Sequence, residues 1–136
     1  IMMDPHSSIA DITTKRNLYD STLEAHNHRV DGRDIPVARL LAIATDDQQA
    51  RRIAESGAQW TTSSYAKSPL SMQKTDKQVD PVQRYVDEVI LWGSPERVAD
   101  LLIQYEEENK LNYLLCAPLS HQSFMLFNDE VLPRLN

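Results

Sequence analysis

Ile35-Pro36-Val37-Ala38-Arg39-Leu40-Leu41-Ala42-Ile43-Ala44, followed at once by Thr45-Asp46-Asp47-Gln48, is the stretch that decides the fold. Its first part is nearly continuous apolar sequence of strand length, the pattern of a parallel strand buried on both faces. Arg39 interrupts the run and needs a partner if it is buried. Thr45 with Gln48 three residues later is a capping-box pattern, so a helix is expected from about Asp46 to Trp60. Ala50, Ile53, Ala54 and Gly57 line its inner face, and Gly57 with Ala58 suggests close packing against a neighbour.

Upstream, Ile1-Met2-Met3 is an apolar run stopped by Asp4-Pro5 and reads as the second half of a buried strand; an initiator methionine at Met2 or Met3 is the alternative. On the strand reading the chain begins inside a fold. A helix from about Ile9 to His26 follows, capped by Ser8, with Ile12, Tyr19, Leu23 and His26 on one face. Downstream, residues 61–80 are polar and without period, and are expected to form a mobile loop. A short helix at Val82 to Asp87 and a brief strand at Val89-Ile90-Leu91-Trp92 come next. Ser94-Pro95-Glu96 then opens a helix as cap, first-turn proline and dipole-complementing acid. Val98, Leu101, Leu102 and Tyr105 form its apolar stripe, and Glu106-Glu107-Glu108 at its negative end should promote fraying. Leu111 to Ala117 is the last strand. The last helix is expected from about Gln122 to Leu132, with Phe124, Phe127 and Val131 inward.

Strands that alternate with helices and read as buried imply βαβ units and a parallel sheet. Four such units make half of an eight-stranded barrel or one open doubly wound sheet. With only three glycines and no G-x-G-x-x-G, the dinucleotide-binding reading is weakened. The 136 residues carry 14 Lys and Arg against 20 Asp and Glu, a formal net charge of −6. That balance argues against nucleic acid and against an anionic membrane surface as partners. No apolar run approaches the roughly 20 residues that span a bilayer. One cysteine, Cys116, allows no internal disulfide and fits a cytoplasmic location.

Several segments resemble luciferase-like flavin-dependent monooxygenases. They are Asp4-Pro5-His6-Ser7-Ser8, Lys15-Arg16 with Tyr19, Ile35 to Arg39, Ala42 to Asp47 with Ala50-Arg51, Gly93-Ser94-Pro95-Glu96-Arg97-Val98, and Leu126-Phe127 through Glu130-Val131-Leu132-Pro133. The resemblance implies that residues 1–136 are the C-terminal part, about four βα units, of a single (β/α)₈ TIM-barrel domain with a long loop insertion. A whole barrel needs roughly 250 residues. The resemblance also implies use of reduced FMN and O2 on a small organic substrate, a flavin reductase as electron source, and a homo-oligomer. A deazaflavin-dependent oxidoreductase and a non-enzymatic half-barrel or dimerisation module are the alternatives.

Barrel enzymes place function at the C-terminal ends of strands. That rule selects His6 as the catalytic candidate, a proton-transfer group or a flavin or substrate contact. Capping of the next helix is the competing role for His6. Asp4 and Thr45, also at strand ends, are cofactor-binding candidates. The resemblance makes the 61–80 loop a lid, on which Lys74 and Lys77, with Lys67 nearby, would meet the flavin phosphate or an anionic substrate. His121 reads first as the start of the last helix, His26 and His28 as helix-end residues, and Cys116 as a buried core thiol. Trp92 reads as core before flavin stacking, and capping explains Ser94 as well as anion binding does. No His/Cys/Asp/Glu spacing suggests a metal site.

Overall fold

The computed structural model describes residues 2–65 and 80–135. The apolar run at Ile35–Ala44 forms β1, Val37–Ile43, and β1 is the middle of a three-stranded parallel sheet. One neighbour is β2, Leu91–Gly93, in register from Leu41↔Leu91 to Ile43↔Gly93. The other is β3, Leu114–Pro118, in register from Val37↔Leu114 to Leu41↔Pro118. Met3 makes an isolated parallel bridge to Val37, its N–H donating to the Pro36 carbonyl at 2.9 Å.

The sheet order is therefore β2-β1-β3, and not the consecutive order that four successive βα units would give. The three-residue β2 covers only the end of one edge of β1, while the five-residue β3 takes the other edge. Past the end of β3, that second edge is completed by a side chain. Ser123 Oγ accepts from the Ile43 amide at 2.9 Å and donates to the Ile43 carbonyl at 3.0 Å. A fully buried serine thus stands where another strand residue would pair.

Helices cover both faces of the sheet. Leu41, Ile43 and Leu91 pack with Val98 and Ala99 of α4, Pro95–Asn109, and with Phe127 and Val131. On the other face Ala42 packs with Ala54 and Ala58 of α2, Asp47–Tyr65, and with Tyr85 and Val86 of α3, Pro81–Glu88. The first helix, α1, Ile9–Ala25, touches the core chiefly through Ile12, which clusters with Met3, Ile35 and Val37. Ser8 caps α1 and Ser94 caps α4, each side chain accepting an amide three residues on.

Several boundaries differ from the sequence reading. The cap of α2 is Asp46, whose carboxylate accepts the Gln49 amide at 2.8 Å, and not Thr45, which is exposed. The helix starts at Asp47, so residue 46 is the one whose side chain reaches the third amide. The same helix runs on through Tyr65, so residues 61–65 are helical where a loop was expected, and the rest of the expected 61–80 loop lies, but for Asp80, outside the described residues. Helix α4 continues through its acidic run to Asn109. It is closed by Lys110 at φ 56°, with the Lys110 and Leu111 amides donating back to Glu106 and Tyr105.

The last helix begins as α5, His121–Leu126, and continues as a π turn over Phe127–Val131. Phe124 is half exposed because Ser123 occupies the inward position, bonded to Ile43. Gly57 does pack closely: a Cβ there would lie 2.6 Å from Leu119 Cδ1. Cys116 is exposed on β3 and is not a core thiol. Desolvation pushes its thiol up to about 11, so it stays protonated at neutral pH.

Because Leu41 is fully buried at the centre of the middle strand, Leu41→Ala is expected to cost about 2–5 kcal/mol of stability. Chemical denaturation of both proteins measures it.

Candidate functional site

The first candidate site grows from the turn after Met3. Asp4 starts it by accepting the His6 amide at 3.0 Å and the Ser7 hydroxyl at 2.8 Å. Lys15 on α1 donates to Ser7 Oγ at 2.7 Å and lies 3.9 Å from the Asp4 carboxylate. Desolvation raises the Asp4 carboxyl, but the His6 amide, the Ser7 hydroxyl and Lys15 outweigh it, and the group sits below its usual value.

Arg39 answers the question its position in the apolar run poses. It is 2% exposed, and its guanidinium donates to the Pro5 carbonyl at 3.1 Å and the Ser7 carbonyl at 2.9 Å. A buried cation is thus satisfied by the two carbonyls that flank His6 in sequence. Burial lowers its pKa, and the charge nonetheless opposes the rise that desolvation imposes on Tyr105.

His6 itself meets a residue that sequence reading missed. Its Nδ1 shares a hydrogen bond of 2.6 Å with the Tyr85 hydroxyl, across 79 positions of chain. Tyr85 is 9% exposed on α3, and the two rings are tilted at 39° with centroids 5.8 Å apart. A small cleft of about 70 Å³ opens beside them, lined in part by Ser8, Thr62, Arg84 and Glu88. A hydrogen-bonded imidazole and phenol at the edge of a cleft can accept, hold and return a proton.

The second candidate site lies at the ends of β1 and β2. Asp47 Oδ1 accepts the Ser94 amide at 2.7 Å and its Oδ2 accepts from Arg97 at 3.2 Å. The Arg97 guanidinium lies 4.2 Å from the Trp92 ring centroid and that of Arg51 lies 5.2 Å away. Gly93 permits this arrangement: its φ is +141°, and a Cβ there would lie 2.5 Å from Arg97 Cδ. The carboxylate of Asp47 thus joins the start of α2 to the start of α4.

The structure gathers Asp4 and His6 into one cluster with Ser7, Lys15, Arg39 and Tyr85. Thr45 lies apart, exposed at the end of β1. Lys74 and Lys77, like Lys67, lie outside the described residues. His121 is the first residue of α5 and packs at 6.5 Å on Phe124. Tyr85 carried one sequence signal: it is the aromatic residue of a short amphipathic helix. Nothing in the sequence tied it to His6. Among the described residues no group of three His, Cys, Asp or Glu is placed to hold a metal ion, and no helix is long and apolar enough to cross a membrane.

Two predictions follow from these contacts. Removing Arg39 leaves two carbonyls without their donor, so Arg39→Met is expected to lose about 2–4 kcal/mol in denaturant unfolding. The Ser94 amide, then Arg97, holds the Asp47 carboxyl below its ordinary value. Its contribution to stability is therefore present above the unfolded value of about 3.9 and is lost as pH falls through the lower, folded one. Asp47→Asn is expected to lower the melting temperature at pH 6 and to reduce the acid-side slope below about pH 4.

No family model matches the chain, and no curated protein matches it either. Solved structures do. Monooxygenase RslO1 from Streptomyces bottropensis superposes with a TM-score of 0.66 at 17% identity, over 99% of this chain and 41% of that one. Riboflavin lyase RcaE, solved with modified FMN and substrate riboflavin, gives 0.60 at 20% identity, over 99% and 38%. The coenzyme F420 dependent tetrahydromethanopterin reductase from Methanopyrus kandleri gives 0.60 at 13% identity, over 96% and 44%. At these identities the likeness is one of fold, and the chain spans about two fifths of the length of each.

Proposed function

We propose that this chain is part of a luciferase-like, flavin-dependent oxidoreductase built on a (β/α)₈ barrel, in which reduced FMN and O2 act on a small organic substrate. The observation that carries the reading is the superposition of nearly the whole chain on a monooxygenase and on an FMN-containing lyase. The matching F420 dependent reductase supports a second reading, with a deazaflavin as the hydride carrier. A separate flavin reductase as the source of reduced cofactor, and assembly into a homo-oligomer, belong to the first reading.

The cleft that His6 lines does not by itself enclose a flavin. The cleft at His6 is about 70 Å³, well under the roughly 300 Å³ of small cofactor sites. A larger groove of about 680 Å³, beside Trp60 and Leu119, has no residue of the His6 cluster in its wall. What this chain contributes to the reaction is therefore assigned to its own side chains. His6 is the proton-transfer group, facing the substrate or its leaving proton at the cleft. Asp4 holds the His6 turn closed through His6, Ser7 and Lys15, and its remaining acceptor capacity keeps its assignment as a cofactor contact. Thr45, exposed at the end of β1, keeps its assignment as a cofactor contact, and Lys74 and Lys77 theirs as groups for the flavin phosphate.

Oxygen uptake by the protein tests the reading. It should occur with reduced FMN plus substrate, or, on the second reading, cofactor oxidation should occur with reduced deazaflavin. His6→Asn should lower kcat by about a hundredfold or more. A protein inert toward both reduced cofactors ends the proposal.

A further inference from the structure

Sequence reading singled out His6 as a chemical group, yet an imidazole is useful in proton transfer only when its ring is held in place. Asp4, Arg39 and Tyr85 each help to hold this one. The Asp4 carboxylate fixes its amide, the buried Arg39 guanidinium fixes the carbonyls before and after it, and the Tyr85 hydroxyl fixes Nδ1. The first two act on backbone and leave the ring able to turn. Of these three contacts, the one with Tyr85 meets the ring itself. Tyr85 is itself anchored: it packs in the core with Ala54, Ala58 and Val86, and its carbonyl accepts the amides of both Val89 and Ile90, where α3 gives way to β2. Its hydroxyl is therefore carried on a rigid part of the fold.

We infer that Tyr85 is the positioning residue for proton transfer at His6. This rests on the role given to His6 above. Tyr85 does not exchange with substrate. It orients the imidazole and, through the shared hydrogen bond at Nδ1, favours one arrangement of protons on the ring.

A kinetic cycle of the wild type, Tyr85→Phe, His6→Asn and the double variant tests it. The phenylalanine keeps the core packing and removes only the hydroxyl. Tyr85→Phe should lower kcat by about tenfold with substrate KM within about twofold, the signature of a misplaced reacting group. The double variant should lose no more than His6→Asn alone, since Tyr85 acts only through that ring. Independently of activity, the ring-nitrogen NMR signal that His6→Asn deletes should move in Tyr85→Phe. An unchanged kcat, a loss confined to KM, losses that multiply in the double variant, or an unmoved ring signal would each overturn the inference. If the wild type is inert toward both reduced cofactors while the ring signal still responds, it is the proposed function that fails, and the positioning role falls with it.

Discussion

A parallel strand flanked on both edges and packed between helices has few backbone groups that solvent can satisfy, and β1 is close to that limit. The groups it buries must be met by protein. The rest of the structure can be read as the set of partners that constraint demands. Met3 and β2 divide one edge between them, and β3 and then Ser123 complete the other. Its one charged residue, Arg39, draws on the Asp4–Ser8 turn, which folds back to offer two carbonyls beside that of Ala38. The N-terminal turn is thus held in place by the demand of a buried cation.

The two polar clusters have different characters. At the ends of β1 and β2 the polar groups are partnered: Asp47 accepts from Arg97 and an amide, and two guanidinium groups lie over the Trp92 ring. Such a cluster ties elements together and leaves little for a ligand to gain. Around His6 the backbone is locked while the imidazole meets a phenol at the edge of a small cleft. A rigid frame around a titratable group is what proton transfer requires.

The parallel α/β character, the strand at 37–43 and the helices opened by Ser8 and Ser94 were legible because period, run length and capping residues are local signals. Asp46 rather than Thr45 as a cap, and the extra turn of α2 through Tyr65, depend on which of several adjacent polar residues wins, and that is settled by geometry. The strand order was not legible, because order depends on edges and not on sequence succession. Cys116 and Phe124 were assigned inward as apolar residues, but β3 lies at the sheet border and Ser123 took the inward place. Asp4 and His6 were found as residues following a strand. Their partners Arg39 and Tyr85 lie 33 and 79 positions beyond His6. The first was flagged only as a charge in need of company, and the second not at all.

The exposed position of Cys116 has a practical meaning for anyone handling the protein. Accessibility ordinarily marks a cysteine as a convenient attachment point. With its thiol pushed up to about 11, Cys116 is held in the protonated, less reactive form at neutral pH. An open surface and a reactive thiol are therefore different things at this position. The same local desolvation makes Cys116 a reporter of folding, for its reactivity will rise sharply once β3 leaves β1.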